Sequence, residues 1–440
     1  MQEYFYEIAR TLDGLIAGNE VYLAAMSGEE SDFIRLNGNK VRQAGTTKQC
    51  NVGIDLIEGD RVAGTSVTLS GEPAIDEVRL ATAFVKLRET LPHVPADPYL
   101  SYATEVLSTE TVGEDRLPSS ANMLDELQSG AEGMDAVGLI ASGAIHAGFA
   151  NSLGQRNWFS SHSFNVDWSL YHEADKAVKS GYAGFEWEAG EFARRIAESR
   201  ERLAILKRPS RTIDPGEYRV YLTPAALSEF LGTIGWAGFG MKARQTKQSS
   251  LIRMIEDGAT LDPRILLREN TGEGVGRNFD FNGFQKPDEV RLIDGGKIAD
   301  ALVSVRSAKE YGVPSNGADD WESPSSLDMA GGELPLGKVL EELGTGVYVS
   351  NLWYMNYSDP SACRMTGMTR FATLWVEDGK IIAPLNVMRF DESAYRVLGE
   401  NLVDLTRERE FIVDSESYGG RSTQSVRVPG ALVDKFRFTL

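Results

Sequence analysis

Residues able to do chemistry are few in this chain, and the most informative sit together. The stretch TPAALSEFLGTIGWAG (Thr223 to Gly238) carries Ser228, Glu229, Gly232 and Thr233. Thr223-Pro224 predicts a helix start, with an N-cap hydroxyl followed by proline at the first helical position. Glu229 is a carboxylate of the kind that serves as a general base. Its neighbours Ser228 and Thr233 offer only neutral hydroxyls, which are poor ligands for a borderline-soft ion such as zinc. The four histidines, His93, His146, His162 and His172, are dispersed. His172-Glu173 has the start of a metallopeptidase motif, but Lys176 and Ala177 stand where a second histidine would be needed, so His172 reads as a strand-end residue. His146 and His162 lie in strand-like contexts and read the same way.

Four further groups carry weaker signals. Cys363, in SACRMTG (Ser361 to Gly367), is a nucleophile only with a base beside it, and no histidine is near in sequence. Arg364 could lower its thiol pKa, although a surface arginine explains the same residue. Glu269 to Arg277 contains Gly272, Gly274 and Gly276, but no helix pattern and no Lys-Ser/Thr follow, so it reads as a flexible surface loop and not as a phosphate cradle. Trp353, Tyr354, Asn356 and Tyr357, with Asn351, suit a groove that grips an extended peptide, and core packing accounts for the aromatics nearly as well. Asn165, Asp167 and Trp168 share that ambiguity.

Two longer stretches complete the pattern: SLGQRNWFSSHSFNVDWSLY (Ser152 to Tyr171) and NLWYMNYSDPSACRMTGMTRFATLWVEDGKIIAPLNVMRF (Asn351 to Phe390). With the Thr223–Gly238 stretch, they resemble the TldD/TldE (PmbA, "modulator of DNA gyrase") metallopeptidase family over nearly the whole length. In TldD-type members a helix after a Thr-Pro start bears His-Glu-x-x-x-His. The histidines and a later cysteine hold the metal, and the glutamate is the base. On this chain the motif falls on Ser228-Glu229-Phe230-Leu231-Gly232-Thr233, which retains the glutamate and lacks both histidines. Ligands five residues apart do not share a helix face, and Gly232 would permit the bend they require. Cys363 lies where the third ligand would be. It reads first as a relic, then as part of a site shared with a partner, and last as a nucleophile.

The resemblance therefore implies a TldE-like chain without metal. It would pair as a heterodimer with a TldD-like subunit that carries Zn, complete a closed proteolytic chamber and hold unfolded or short peptides for maturation or degradation. The alternatives are a non-catalytic homodimeric peptide-binding scaffold and an independent peptidase with an unrecognised site.

The elements that must position these residues are legible in outline. The chain has 440 residues, 42% of them hydrophobic, enough for two or three domains with sizeable cores. Phe5, Ile8, Ala9, Leu12, Leu15 and Ile16 mark a first helix. Short strands are expected next, turning at Asn37-Gly38-Asn39 and Glu58-Gly59-Asp60, and then a helix through Leu80, Phe84, Leu87 and Leu91. A strand through Phe164, Val166, Trp168 and Leu170 precedes a long helix from about Trp187 to Leu206, charged on its outer face. Lys207 to Gly216 reads as a linker. Beyond it, Glu217–Leu222, Val347–Tyr354, and a hairpin at Asp378-Gly379 are strand-like. The expected class is α+β: an α/β N-terminal half with helices packed on a sheet, and a β-rich C-terminal half built on a curved antiparallel sheet. The expected segments are 1–95 (helix–sheet–helix), 96–210 (ending in the long helix) and 211–440 (the β-rich domain).

The net charge of −19 opposes binding to nucleic acid or anionic lipid. Two cysteines imply no disulfide framework, and the opening residues have no signal-peptide pattern, so a cytoplasmic protein is expected.

Overall fold

The turns read from the sequence join strands far longer than expected. In the computed structural model, which describes residues 1–173 and 176–440, β1 (Val21–Asn37) pairs in antiparallel register with β2 (Lys40–Glu58) through the two-residue turn Gly38-Asn39. Both turn residues have positive φ, 58° and 56°, which matches the right-handed strand twist. β3 (Arg61–Thr68) returns after Gly59-Asp60. The outer part of β2, Lys40 to Thr46, is exposed on both faces, so it lacks the apolar–polar alternation that marks a half-buried strand. That is why only Val52, Ile54 and Leu56, all buried, signalled it.

Strands β4 (Glu110–Val112), β5 (Asp135–Asn151), β6 (Arg156–Glu173) and β7 (Lys176–Gly184) complete this seven-stranded sheet. Its order is β3-β2-β1-β5-β6-β4, with β7 also on β6. Residues 1–95 and 96–210 thus contribute to one sheet. Helices α1 (Gln2–Asp13) and α2 (Pro73–Thr90) cover one part of it with an apolar cluster that includes Phe5, Leu12, Tyr22, Leu80 and Phe84. α3 (Ser120–Gly130) and α4 (Ala189–Leu206) pack where Phe164, Val166 and Trp168 are buried. Trp168 is wholly core, and its indole N–H donates to Ser199 Oγ at 3.1 Å.

Residues 207–215 hold no helix or strand, and Arg211 makes an isolated β-bridge to Leu385. Beyond them, β8 (Gly216–Leu222) leads into α5 (Pro224–Gly235). The second sheet adds β9 (Leu267–Asn270), β10 (Glu289–Asp294), β11 (Lys297–Ile298), β12 (Ser326–Met329), β13 (Gly346–Asp359) and β14 (Arg364–Glu377). It is completed by β15 (Lys380–Pro384), β16 (Arg389–Ser393), β17 (Leu402–Val413) and β18 (Ser425–Phe438). This eleven-stranded sheet is mixed and not purely antiparallel, because β12–β18 and β13–β8 pair in parallel. The α+β class holds: helices and a sheet in the N-terminal half, a large sheet in the C-terminal half.

α4 joins the halves. Its buried Phe192, Ile196, Leu203 and Leu206 share a core with Trp168 of β6 and with Tyr221, Tyr348, Leu374 and Leu432 of the second sheet. A second link comes from the segment between β17 and β18. There Arg421 is 9% exposed and donates to Gly143 O at 3.1 Å and Ser163 Oγ at 2.8 Å in the first sheet, while its backbone N–H donates to Glu29. Among the described residues no helix is long and apolar enough to cross a membrane.

Candidate functional site

α5 forms where the sequence predicts it. The Thr223 hydroxyl accepts from Ala226 N at 3.3 Å and donates to Ser350 O at 2.7 Å, so the N-cap also ties the helix to β13. Leu227, Phe230, Leu231 and Ile234 are all buried in the C-terminal core, each worth about 1.5–3 kcal/mol of burial. The helix runs uninterrupted through Gly232, so the bend that two histidine ligands would need is not made. Ser228 Oγ donates to Ala225 O at 2.8 Å and Thr233 Oγ1 donates to Glu229 O at 3.0 Å. Both hydroxyls are turned back onto the helix backbone.

Two cavities meet at this helix. One, of about 430 Å³, is walled by Ser228, Glu229, Gly232, Thr233, Trp236, Met355 and Asp414. The other, of about 240 Å³, lies between the halves. It takes Ser228 and Glu229 again, with Asn165, Asp167 and Lys179 from the first sheet, arginines of α4, and Tyr221, Tyr348, Asn351 and Glu410 from the second. Glu229 is thus reached by solvent from a recess. Partial burial raises its pKa above the usual carboxylate value and Asp414 adds to the rise, while Lys179 opposes it.

The other sequence candidates lie elsewhere. Cys363 is fully buried, with φ at 44°. Burial pushes its thiol up to about 12, and the neighbouring Ser250 hydroxyl pulls only part of the way back. A thiol so protonated is no nucleophile at neutral pH. Arg364 is exposed and sits 3.7 Å from Asp391. The four aromatic and amide candidates do not share one wall. Trp353 and Tyr354 are exposed, Tyr354 is in a left-handed conformation at a register shift, and Arg370 lies over the Trp353 ring at 4.6 Å. Asn356 is exposed, whereas Tyr357 is half-buried and its hydroxyl donates to Thr233 O at 2.8 Å. Their neighbours Asn351 and Met355 reach the cavities instead.

The glycine-rich stretch is not a free loop. Glu269 and Asn270 end β9, Glu269 accepts from Ser325 and Ser326, and Val275 is buried against Ile145 and Val413. None of the four histidines lines either cavity. His93 and His172 are exposed, and His162 Nδ1 lies 3.2 Å from Gly113 O. His146 stacks on Trp158 at 5.6 Å, with burial pushing its pKa down to about 4. Among the described residues no group of three or more His, Cys, Asp or Glu side chains is gathered as a metal site requires. The donors around α5 are the Ser228 and Thr233 hydroxyls and the carboxylates of Glu229 and Asp414, which among the described residues falls short of the three or four imidazole, thiolate or carboxylate ligands that a zinc site takes.

The sequence reading missed Arg202, Tyr221, Tyr348, Lys179 and Asp414. Only Arg202 carried a signal, as part of the charged face of α4, and such a face ordinarily signals solvent.

Comparison with solved structures places this architecture among known ones. TldE from Thermococcus kodakarensis superposes with a TM-score of 0.78 at 14% identity, covering 99% of this chain and 100% of that one. A proposed modulator of DNA gyrase from Thermotoga maritima gives 0.74 at 16%, with both chains covered completely. Another from Bacteroides thetaiotaomicron gives 0.75 at 15%, covering 99% and 98%. At these identities the likeness establishes the fold. Comparison with curated proteins found no match. The sequence profile of the PmbA/TldA metallopeptidase C-terminal domain, however, matches residues 215–440, just over half of the chain, and includes α5 and Cys363. The chain belongs to the PmbA/TldA (TldD/TldE) metallopeptidase family.

Proposed function

We propose that this chain is the TldE-like, non-metal-binding subunit of a TldD/TldE-type peptidase. It completes the chamber and holds unfolded or short peptides, while a TldD-like partner supplies the zinc. The observation that carries the reading is α5. At the positions of the family's two histidines stand Ser228 and Thr233, whose hydroxyls bond to helix carbonyls. Without a metal to lower the pKa of a water, Glu229 has no activated nucleophile to serve. Its raised pKa then reflects its recess and no catalytic task. The buried, protonated Cys363 is assigned as a relic of the third ligand position.

Peptide contact is assigned to the exposed β13 segment. Trp353 and Tyr354 offer large apolar surface and the Asn356 amide offers hydrogen bonds, an arrangement that tolerates many sequences. Tyr357 supports that segment from beneath through its bond to α5.

The test is co-expression with a TldD-like chain that retains His-Glu-x-x-x-His, followed by size-exclusion chromatography and a peptide-cleavage assay. A stable heterodimer burying at least about 1,000 Å² is expected to elute as one species and to cleave unstructured peptide. Separate elution at micromolar concentration, or a pair that cuts nothing, would overturn the reading.

A further inference from the structure

A third cavity, of about 520 Å³, is walled by the first sheet, by the segment after β9 and by the segment between β17 and β18. It shares no lining residue with the two cavities at α5, and its volume is that of a small-molecule pocket. Arg277 lines it and makes no hydrogen bond or ion pair among the described residues. Its Nε is buried without a partner. The guanidinium lies on the Phe281 ring, 3.6 Å from the centroid, and that contact holds it in place. Burial lowers its pKa, and Asp280 and Asp319 oppose the shift through space. Asp280 itself accepts from Asn282 N and Phe284 N. Arginine stays charged, and a half-buried charge calls for a partner that the chain does not supply here.

Groups of the opposite sign share the cavity. Glu29 is 4% exposed and accepts through Oε2 from Gln49 Nε2 and Arg421 N, both at 3.1 Å, while its Oε1 has no partner. The chain passes over Glu29 at Gly420, where a Cβ would stand 3.0 Å from Oε2. Glu416 is exposed and pairs with no cation among the described residues. Arg421 gives its Nη donors to Gly143 O and Ser163 Oγ, and its buried Nε has no partner.

The ionised residues of the lining are therefore two arginines and two glutamates. His146 adds no charge at neutral pH, because burial pushes its pKa down to about 4. A simple anion would meet both glutamates, and a simple cation would meet both arginines. A small ligand that carries both signs meets neither penalty. Ile145, Phe159 and Phe281 add an apolar wall for a short side chain.

We propose that this cavity binds a zwitterion of amino-acid or dipeptide size, with its carboxylate on Arg277 and its ammonium on the acidic side formed by Glu29 and Glu416. The site itself stands on the geometry. That its occupant is a product of peptide cleavage rests on the function proposed above.

Two measurements separate these statements. The first is isothermal titration of the full chain at pH 7 with alanyl-alanine, its N-acetyl form and its C-terminal amide. The dipeptide should bind at least about 10-fold tighter than either blocked form, since each block removes one charge-assisted contact. R277Q should remove the preference over the amide, and E416Q should narrow the preference over the N-acetyl form. Unliganded R277Q should melt close to the parent, because Arg277 has no hydrogen bond to lose. No binding at millimolar dipeptide, equal affinity for the dipeptide and either blocked form, or an undiminished preference in the matching variant would overturn the site. If R277Q does not fold, R277K, which keeps the charge without the fork, carries the test.

The second measurement is peptide cleavage by the co-purified pair with millimolar alanyl-alanine added. The dipeptide should slow cleavage, and R277Q in this chain should abolish the slowing. Binding in the titration without any effect on cleavage would retain the site and overturn its role in product binding. A pair that cuts nothing would remove the peptidase reading and leave a site established by titration standing.

Discussion

Glu229 is where the account is most exposed at the scale of single residues. Its folded pKa is raised, so the protein favours its neutral form. Ionised Glu229 is less favourable folded than unfolded, and that cost appears as pH rises above the ordinary glutamate value. Glu229→Gln should therefore raise Tm at pH 7–8, and the gain should shrink as pH falls toward about 4. In the reconstituted pair the same variant should cleave peptide at nearly the parental rate. A loss of about 100-fold, the usual share of a general base, would mean that this chain performs chemistry. The two thiols give an independent check. Cys50 and Cys363 are both buried, with pKa values pushed up to about 11 and about 12 by burial. Native protein should react negligibly with a thiol reagent over minutes at neutral pH, and denatured protein should release both. Rapid native labelling of Cys363 would return it to the list of nucleophiles.

At the scale of elements, α5 is held by its cap as much as by its apolar face. Thr223→Ala removes the bond from Ala226 N and the one to Ser350 O, and should cost about 1–2 kcal/mol in denaturant unfolding. No measurable change would mean that packing alone positions the helix. This element was legible in the sequence, because the cap, the proline and the 3.6-residue apolar period all lie within one short window. The hairpin turns were legible for the same reason. Strand lengths were not: the outer half of β2 is solvated on both faces and carries no period. Arg202 was illegible in a different way. The Tyr348 ring beside its guanidinium is distant in sequence, and a charged helix face that meets a second sheet reads the same as one that meets water. The aromatic run of β13 looked like a single wall because register shifts, which separate Trp353 and Tyr354 from Tyr357, leave no mark in composition.

The molecule as a whole is two sheets locked through α4 and through Arg421. Arg421 is buried, and burial pushes its pKa down to about 10, so it remains charged at neutral pH. Arg421→Met keeps the stem and removes the donors to Gly143 and Ser163, and should cost about 1–3 kcal/mol. It should also speed proteolysis between β17 and β18, and unchanged proteolysis would show that the segment is held by other contacts. The central proposal concerns the assembled molecule: the scaffold is that of a metallopeptidase family, and the zinc is proposed to belong to a partner. The most direct test is elemental analysis of zinc in the purified chain alone and in the co-purified pair, after exchange into zinc-free buffer. The account predicts no stoichiometric zinc in the chain alone and one tightly held ion per pair. One tightly held zinc in the chain by itself would contradict it.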